Sequence, residues 1–156
     1  IWDHKQTDQW GEVVATSLDQ LLSRTDPGRI SIETLDYPFA IVEPLIREKN
    51  LSICIDIGHG IKYGYDWQAV YVKDPGAVPL VHLHGVDFSG SKIRDHAGLD
   101  ALPDRHHRDV FNFLGEYPGT VSLEVFNRDN LTRSLRCLAQ QFALIPTAGD
   151  IFGTGQ

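Results

Sequence analysis

The chain has 156 residues, of which 42% are hydrophobic and 22% are charged, a composition typical of one globular domain. Its formal net charge of −7 disfavours generic binding to nucleic acid phosphate, so we expect no nucleic-acid partner. It lacks a run of about 18 apolar residues, and we therefore expect no transmembrane helix and no membrane partner.

Helices and strands are predicted to alternate along the chain. Helical spacing of apolar residues predicts helices at about 8–24, 38–49, 65–73, 104–116 and 129–143. Short alternating segments predict strands at 29–34, 51–56, 80–86 and 120–126. Loops are expected around Gly58 and Gly60 and over 87–103, with a flexible tail at 146–156. One helix followed by four strand–helix units predicts four parallel strands.

The predicted strands share one pattern of side chains. Because side chains alternate along a strand, one face is aliphatic, with Ile30, Ile32, Ile53, Ile55, Leu83 and Leu123. The other face carries small residues first and metal-type ligands last: Ser31, Glu33, Cys54, Asp56, His82, His84, Ser122 and Glu124. A parallel barrel covered outside by helices needs this pattern, with its functional site at the carboxyl ends of the strands.

Four strand–helix units make half of an eight-unit barrel. We therefore predict an α/β fold over residues 1–145, the C-terminal half of a TIM (β/α)8 barrel with about strands five to eight. A complete doubly wound sheet is the alternative, but it would bury the polar face at about 1–3 kcal/mol for each unsatisfied group. The chain begins with Ile1, so we expect a fragment whose partner is the missing N-terminal half.

Three acids and one histidine lie at or near the carboxyl ends of different predicted strands: Glu33, Asp56, His82 and Glu124. No Lys or Arg occupies an inward strand position that could neutralise the acids, so a bound cation is their simplest partner. Oxygen-rich ligation with one imidazole suits Zn²⁺ or Mn²⁺, and also Fe²⁺ or Co²⁺.

Further polar residues are expected near the same ends of the strands. His59 and His96 are predicted as ligands or proton carriers, and Asp95 as a further ligand. His4 falls where the missing fourth strand would end, which makes it another candidate ligand. His84 is predicted to contact substrate, although a hydrogen-bonded interior histidine fits the sequence equally well.

Five of these segments together resemble the xylose-isomerase-like barrel superfamily, which includes class II apurinic endonucleases and sugar isomerases and epimerases. The matching segments are Ser31-Ile32-Glu33, Cys54-Ile55-Asp56-Ile57-Gly58-His59, Val81-His82-Leu83, Asp95-His96 and Ser122-Leu123-Glu124. The resemblance implies a metal core of Glu33, Asp56, His82 and Glu124, with Glu33 bridging two ions.

The branches of this superfamily differ in the loop after the seventh barrel strand. In the endonuclease-like branch an acid and a histidine there, with a histidine after the sixth strand, hold another metal ion for phosphodiester cleavage. Asp95, His96 and His59 match that set, although the endonucleases separate the acid and histidine by one residue. The epimerase branch expects an arginine where this chain has Phe88, so the sequence favours phosphoester chemistry.

One subgroup is more similar still. The segments 32–39, Asp56-Ile57-Gly58-His59 and His82-Leu83-His84-Gly85-Val86 resemble the cobamide-remodelling phosphodiesterases. Those enzymes cleave the nucleotide loop of B12-type cobamides, releasing α-ribazole and leaving cobinamide phosphate. The resemblance implies a small-molecule substrate, and the net charge of −7 fits it better than DNA.

The sequence therefore predicts a metal-dependent phosphodiesterase with catalytic roles for Glu33, His59, His96 and Glu124. The first alternative is a sugar-phosphate isomerase or epimerase with one Mn²⁺, in which Glu33 and Glu124 transfer protons. The second is a half barrel that binds metal without turnover. The cysteines, Cys54 and Cys137, are expected to be free thiols, which favours a cytoplasmic location.

Overall fold

The computed structural model describes the backbone of residues 4–142 and the side chains of residues 9–142. The chain divides into two compact units, the first ending at Val81 and the second beginning at His82. The predicted tail at 146–156 and the side chain of His4 lie outside the described residues. Among the described helices, none combines the length and the apolar character that crossing a membrane requires.

The first unit alternates helices with two parallel strands. Its elements are α1 (His4–Leu22), β1 (Ser31–Glu33), α2 (Glu43–Glu48), β2 (Ser52–Asp56), α3 (Ile57–Tyr63) and α4 (Trp67–Lys73). In the register of β1 with β2, Ser31 pairs with Ser52 and Glu33 with Cys54. Both strands therefore end at the same edge, with Glu33 and Asp56 as their last residues.

The remaining strands follow from residue 80 onward. They are β3 (Leu80–Leu83), β4 (Gly85–Asp87), β5 (Arg94–Ala97) and β6 (Thr120–Leu123), with helices α5 (Asp104–Glu116) and α6 (Arg128–Gln141). The order β1-β2-β3-β6 forms a four-stranded parallel sheet, while β4 and β5 form a separate antiparallel pair. The predicted mixed α/β fold with four parallel strands is thus confirmed at this level.

The aliphatic side chains of the sheet are the most buried where strands are flanked on both sides. Ile53, Ile55 and Leu83 are at most 4% exposed, whereas Ile32 and Leu123 on the outer strands are half-buried. In the second unit, Leu99, Val110 and Phe111 are buried as well. The predicted aliphatic face is therefore packed on the inner strands, and on β2 the opposite face is buried too, with Cys54 at 3% and Asp56 at 0% exposed.

Three predicted elements are wrong in detail. The glycine-containing segment expected as a loop is helix α3, because the side chain of Asp56 caps its first turn. The segment expected as one helix at 38–49 is a 3₁₀ turn at Phe39–Ile41 followed by α2, and Pro44 lies in the first turn of α2, where a missing amide proton is tolerated. The loop expected at 87–103 contains β5, whose residues Arg94–Ala97 show no alternation of apolar side chains.

Candidate metal centre

The hydroxyl group of Tyr65 contacts the carboxyl ends of both β1 and β2. Its oxygen lies 3.0 Å from the main-chain oxygens of Thr34 and Asp56, and 3.0 Å from Thr34 Oγ1. The amide of Asp56 donates to the same Oγ1 at 3.0 Å, and Thr34 is 1% exposed. This network fixes the backbone directly beside two predicted ligands, Glu33 and Asp56.

Asp56 is fully buried and its carboxylate has two separate contacts. Oδ1 accepts a hydrogen bond from the amide of His59 at 2.7 Å, which begins helix α3. Oδ2 lies 3.0 Å from Nδ1 of the His59 ring. Asp56 and His59 thus bring two ligand-type atoms together from one short segment, as the sequence predicts.

Two half-buried phenols lie beside these acids. Tyr37 donates a hydrogen bond to the main-chain oxygen of Glu33. Burial, together with the nearby charge of Glu33, raises the pKa of Tyr37 to about 12. Burial also raises the pKa of Tyr65 above its ordinary value. Both phenols are therefore neutral at physiological pH and act as hydrogen-bond donors.

In the second unit, two imidazoles face one carboxylate oxygen. Oε2 of Glu124 lies 3.4 Å from Nδ1 of His82 and 3.7 Å from Nε2 of His96. The amide of Glu124 donates to the main-chain oxygen of Leu83 at 3.0 Å, so Glu124 continues the pairing of β6 with β3. Within the described residues, this buried Oε2 accepts no hydrogen bond, which leaves it suited to a cation.

His84 is fully buried directly after β3, and its ring is fixed by the backbone. Its Nδ1 lies 3.0 Å from the amide nitrogen of His96 and 3.1 Å from the main-chain oxygen of Gly85. Because an amide can only donate, Nδ1 acts as the acceptor, and a neutral ring then carries its proton on Nε2. Nε2 is thus a donor, which suits the predicted contact with substrate better than ligation of a metal.

The ring of His96 is sandwiched between two other rings. It stacks on His84 at a centroid distance of 4.2 Å and on Phe126 at 4.3 Å. Its Nδ1 lies 3.5 Å from Oδ1 of Asp95, whereas its Nε2 faces Glu124. Asp95 thus lies on the side of the His96 ring that faces away from Glu124. A carboxylate in this position commonly orients a histidine that binds metal.

Each unit carries His, Asp or Glu side chains that could hold a metal ion. In the first unit these are Glu33, Asp56 and His59; in the second they are His82, His84, His96 and Glu124. Carboxylates together with imidazoles are a donor set that Zn²⁺ or Mn²⁺ accepts. His84 fits less well, because the hydrogen bond to its Nδ1 directs its proton to Nε2.

Within each unit, one pair of ligand-type atoms lies at the separation of two neighbouring ligands of a metal ion. Ligand atoms bonded at about 2.1 Å lie about 3.0 Å apart at right angles and about 3.4 Å apart in a tetrahedron. Asp56 Oδ2 and His59 Nδ1 are 3.0 Å apart, and His82 Nδ1 and Glu124 Oε2 are 3.4 Å apart. The residues present therefore fit a divalent metal.

Most of the predicted ligands are among these residues. Asp95 is not among them in the part of the chain that the structure describes, and its role as a ligand stays a prediction. Four supporting residues were not predicted from the sequence: Thr34, Tyr65, Phe126 and Asn130. Of these, only Phe126 could have been suspected from the sequence, since it lies two residues after Glu124. The contacts of Thr34, Tyr65 and Asn130 join distant segments and leave no sequence pattern.

No protein-family model matches the chain, and no curated protein shows significant similarity to it.

Proposed function

We propose that the chain is the C-terminal half of a TIM barrel of the xylose-isomerase-like superfamily, and that it serves a metal-dependent phosphodiesterase. The proposed substrate is a cobamide, hydrolysed at its nucleotide loop to α-ribazole and cobinamide phosphate. Two things support this proposal. The quoted motifs resemble that subgroup, and each unit carries two of the four residues expected as its metal core: Glu33 and Asp56 end the strands of the first unit, and His82 lies beside Glu124 in the second.

The observation that carries the reaction type is the position of His96. An isomerase with one Mn²⁺ predicts no role for Asp95 or His96. Here Nε2 of His96 lies 3.7 Å from Glu124, and the Asp95 carboxylate lies behind the opposite ring nitrogen. A further imidazole beside the metal core favours phosphoester cleavage, which uses additional positive charge around the phosphate.

A divalent ion in this metal core would polarise a phosphodiester oxygen and lower the pKa of coordinated water towards about 7. Glu33, Asp56, His82 and Glu124 would hold that ion. His84 would donate a hydrogen bond from Nε2 to a phosphoryl oxygen. His59, beside the Asp56 carboxylate, would move a proton, and His96 would stabilise the leaving alkoxide.

The natural protein that contains this chain provides the test. It would be loaded with Zn²⁺ or Mn²⁺ and incubated with a cobamide, and the products would be separated and weighed by mass spectrometry. We expect cobinamide phosphate and α-ribazole, and Glu124→Gln should abolish their release while the protein stays folded. Full turnover by a folded, metal-loaded Glu124→Gln protein would overturn the role of Glu124.

The alternatives predict other results in the same preparation. Epimerisation of a ketose without cobamide cleavage would identify a sugar isomerase or epimerase. Measured metal occupancy with neither activity would favour a half barrel that only binds metal. A small-molecule substrate and a cytoplasmic location belong to the proposal as well.

A further inference from the structure

His96 has an unusual backbone for a residue with a side chain. Its φ is +51°, in the left-handed region that favours glycine. Such a conformation persists in a folded protein only where surrounding contacts hold it, and it is concentrated at functional positions. The contacts that hold His96 are therefore as informative as the ring itself.

Hydrogen bonds hold His96 on both sides of its Cα. On one side, its amide donates to Nδ1 of the buried His84 at 3.0 Å. On the other side, its carbonyl oxygen accepts from Nδ2 of Asn130 at 2.9 Å. The first bond uses a predicted site residue, whereas the second comes from the first turn of α6, where no role had been assigned.

Asn130 is itself fixed in the orientation that this bond needs. Its main-chain N–H donates to Oδ1 of Asn127, the residue that caps α6, at 2.8 Å. Its side-chain Oδ1 accepts from Arg133 at 2.6 Å, and Arg133 in turn pairs with Asp100 at 3.1 Å. Because Oδ1 faces a guanidinium group, Nδ2 is the atom directed at His96.

We propose that Asn130 is a positioning residue, which holds the backbone of His96 in the left-handed conformation and so keeps its Nε2 directed at Glu124. Its contribution to metal binding rests on the proposed function, but its effect on His96 does not. Asn130 contacts His96 through the main-chain oxygen of that residue, and its side chain is uncharged. It therefore acts on the orientation of the ring and not on the charge of the site.

The test compares Asn130→Asp with wild type. Aspartate keeps the size of the side chain and the acceptor for Arg133, but it loses the donor and places a carboxylate oxygen against the carbonyl oxygen of His96. Asn130→Ala removes the donor without adding charge. Asn112→Asp, on an exposed position of α5, is the control for the same chemical change elsewhere.

The first readout is the ring nitrogen and carbon NMR signals of His96 in the metal-free chain, assigned with a His96→Gln variant. We expect both Asn130 variants to shift these signals and Asn112→Asp to leave them unchanged. The second readout is the affinity for Co²⁺, followed by its absorption spectrum. Loss of a contact that orients a ligand costs about 10- to 100-fold in affinity, and we expect a loss in this range.

Wild-type His96 signals in both folded Asn130 variants would overturn the proposal. If Asn130→Asp unfolds, Asn130→Ala decides the same question. If wild type binds no Co²⁺, the proposed metal function fails, and the His96 signals still decide whether Asn130 positions the ring. Shifted His96 signals with unchanged Co²⁺ affinity would overturn the link to the metal.

Discussion

The phenolic oxygen of Tyr65 lies 3.0 Å from the main-chain oxygen of Asp56, so a residue of one loop fixes the end of the strand that carries a predicted ligand. The same oxygen contacts Thr34 at the end of β1. One hydroxyl group thus holds the backbone beside Glu33 and Asp56, the two acidic ligands predicted in the first unit.

Tyr65→Phe should therefore weaken the protein and its metal site together. Removal of the hydroxyl takes away the one hydrogen bond that it can donate at this part-buried position, which costs about 1–3 kcal/mol in free energy of unfolding. Urea denaturation measures this loss, and Co²⁺ titration measures the accompanying loss of affinity. Tyr63→Phe, at an exposed tyrosine, is the control. Equal stability of the two variants would contradict the role of Tyr65.

The phenol of Tyr37 should titrate near pH 12, with Glu33 responsible for part of the shift. Burial is the larger cause, so Glu33→Gln should lower the pKa of Tyr37 but leave it above 10. The folded state holds this proton more tightly than the unfolded state does. The resulting stability is therefore complete below about pH 10 and is lost as the pH rises to about 12.

Ultraviolet absorbance of tyrosinate follows this titration, and Tyr37→Phe assigns the signal. An unchanged Tyr37 pKa in Glu33→Gln would show that the charge of Glu33 does not reach the phenol.

Gly85 should not accept any side chain. A Cβ at this position would lie 1.9 Å from the main-chain oxygen of Gly98, and neither backbone can move away without breaking the β4–β5 pairing. Gly85→Ala should therefore cost about 3 kcal/mol of stability, the upper end of the usual range for overpacking. In Gly90→Ala the added Cβ meets Lys92 only at 3.5 Å, so this control should retain wild-type stability. Thermal unfolding separates the two variants.

Phe126 should contribute to the metal site and little to the stability of the fold. It is 74% exposed, yet its ring covers one face of His96. An aromatic pair is worth about 0.5–1.5 kcal/mol, so Phe126→Ala should weaken Co²⁺ binding about two- to tenfold. Phe88→Ala, which removes a ring stacked on His106, should leave the affinity unchanged. Equal affinities for both variants would argue against a role for Phe126.

Alternation along strands made the ligand positions predictable. Because side chains repeat every two residues, the sequence placed Asp56 and Glu124 on the polar face and at the ends of their strands. The same regularity predicted the parallel sheet and its buried residues Ile53, Ile55 and Leu83. These features depend on local periodicity, which can be read from a single sequence.

The supporting contacts could not be predicted in this way. Asn130 and His96 are 34 positions apart, and Tyr65 and Thr34 are 31 apart. Single hydrogen bonds over such separations leave no periodic signal in a sequence. Helix α3 was missed for a related reason, since two glycines in its first four residues conceal the cap that Asp56 supplies.

The carboxylate of Asp56 has a consequence for dynamics as well as for chemistry. One of its oxygens starts helix α3, and the other lies 3.0 Å from Nδ1 of His59, a second predicted ligand. Any ligand that restrains this carboxylate also restrains the first turn of the helix. The opening of α3, observable as hydrogen exchange of its amides, would therefore slow when the ion arrives, and cation concentration would regulate the flexibility of this segment.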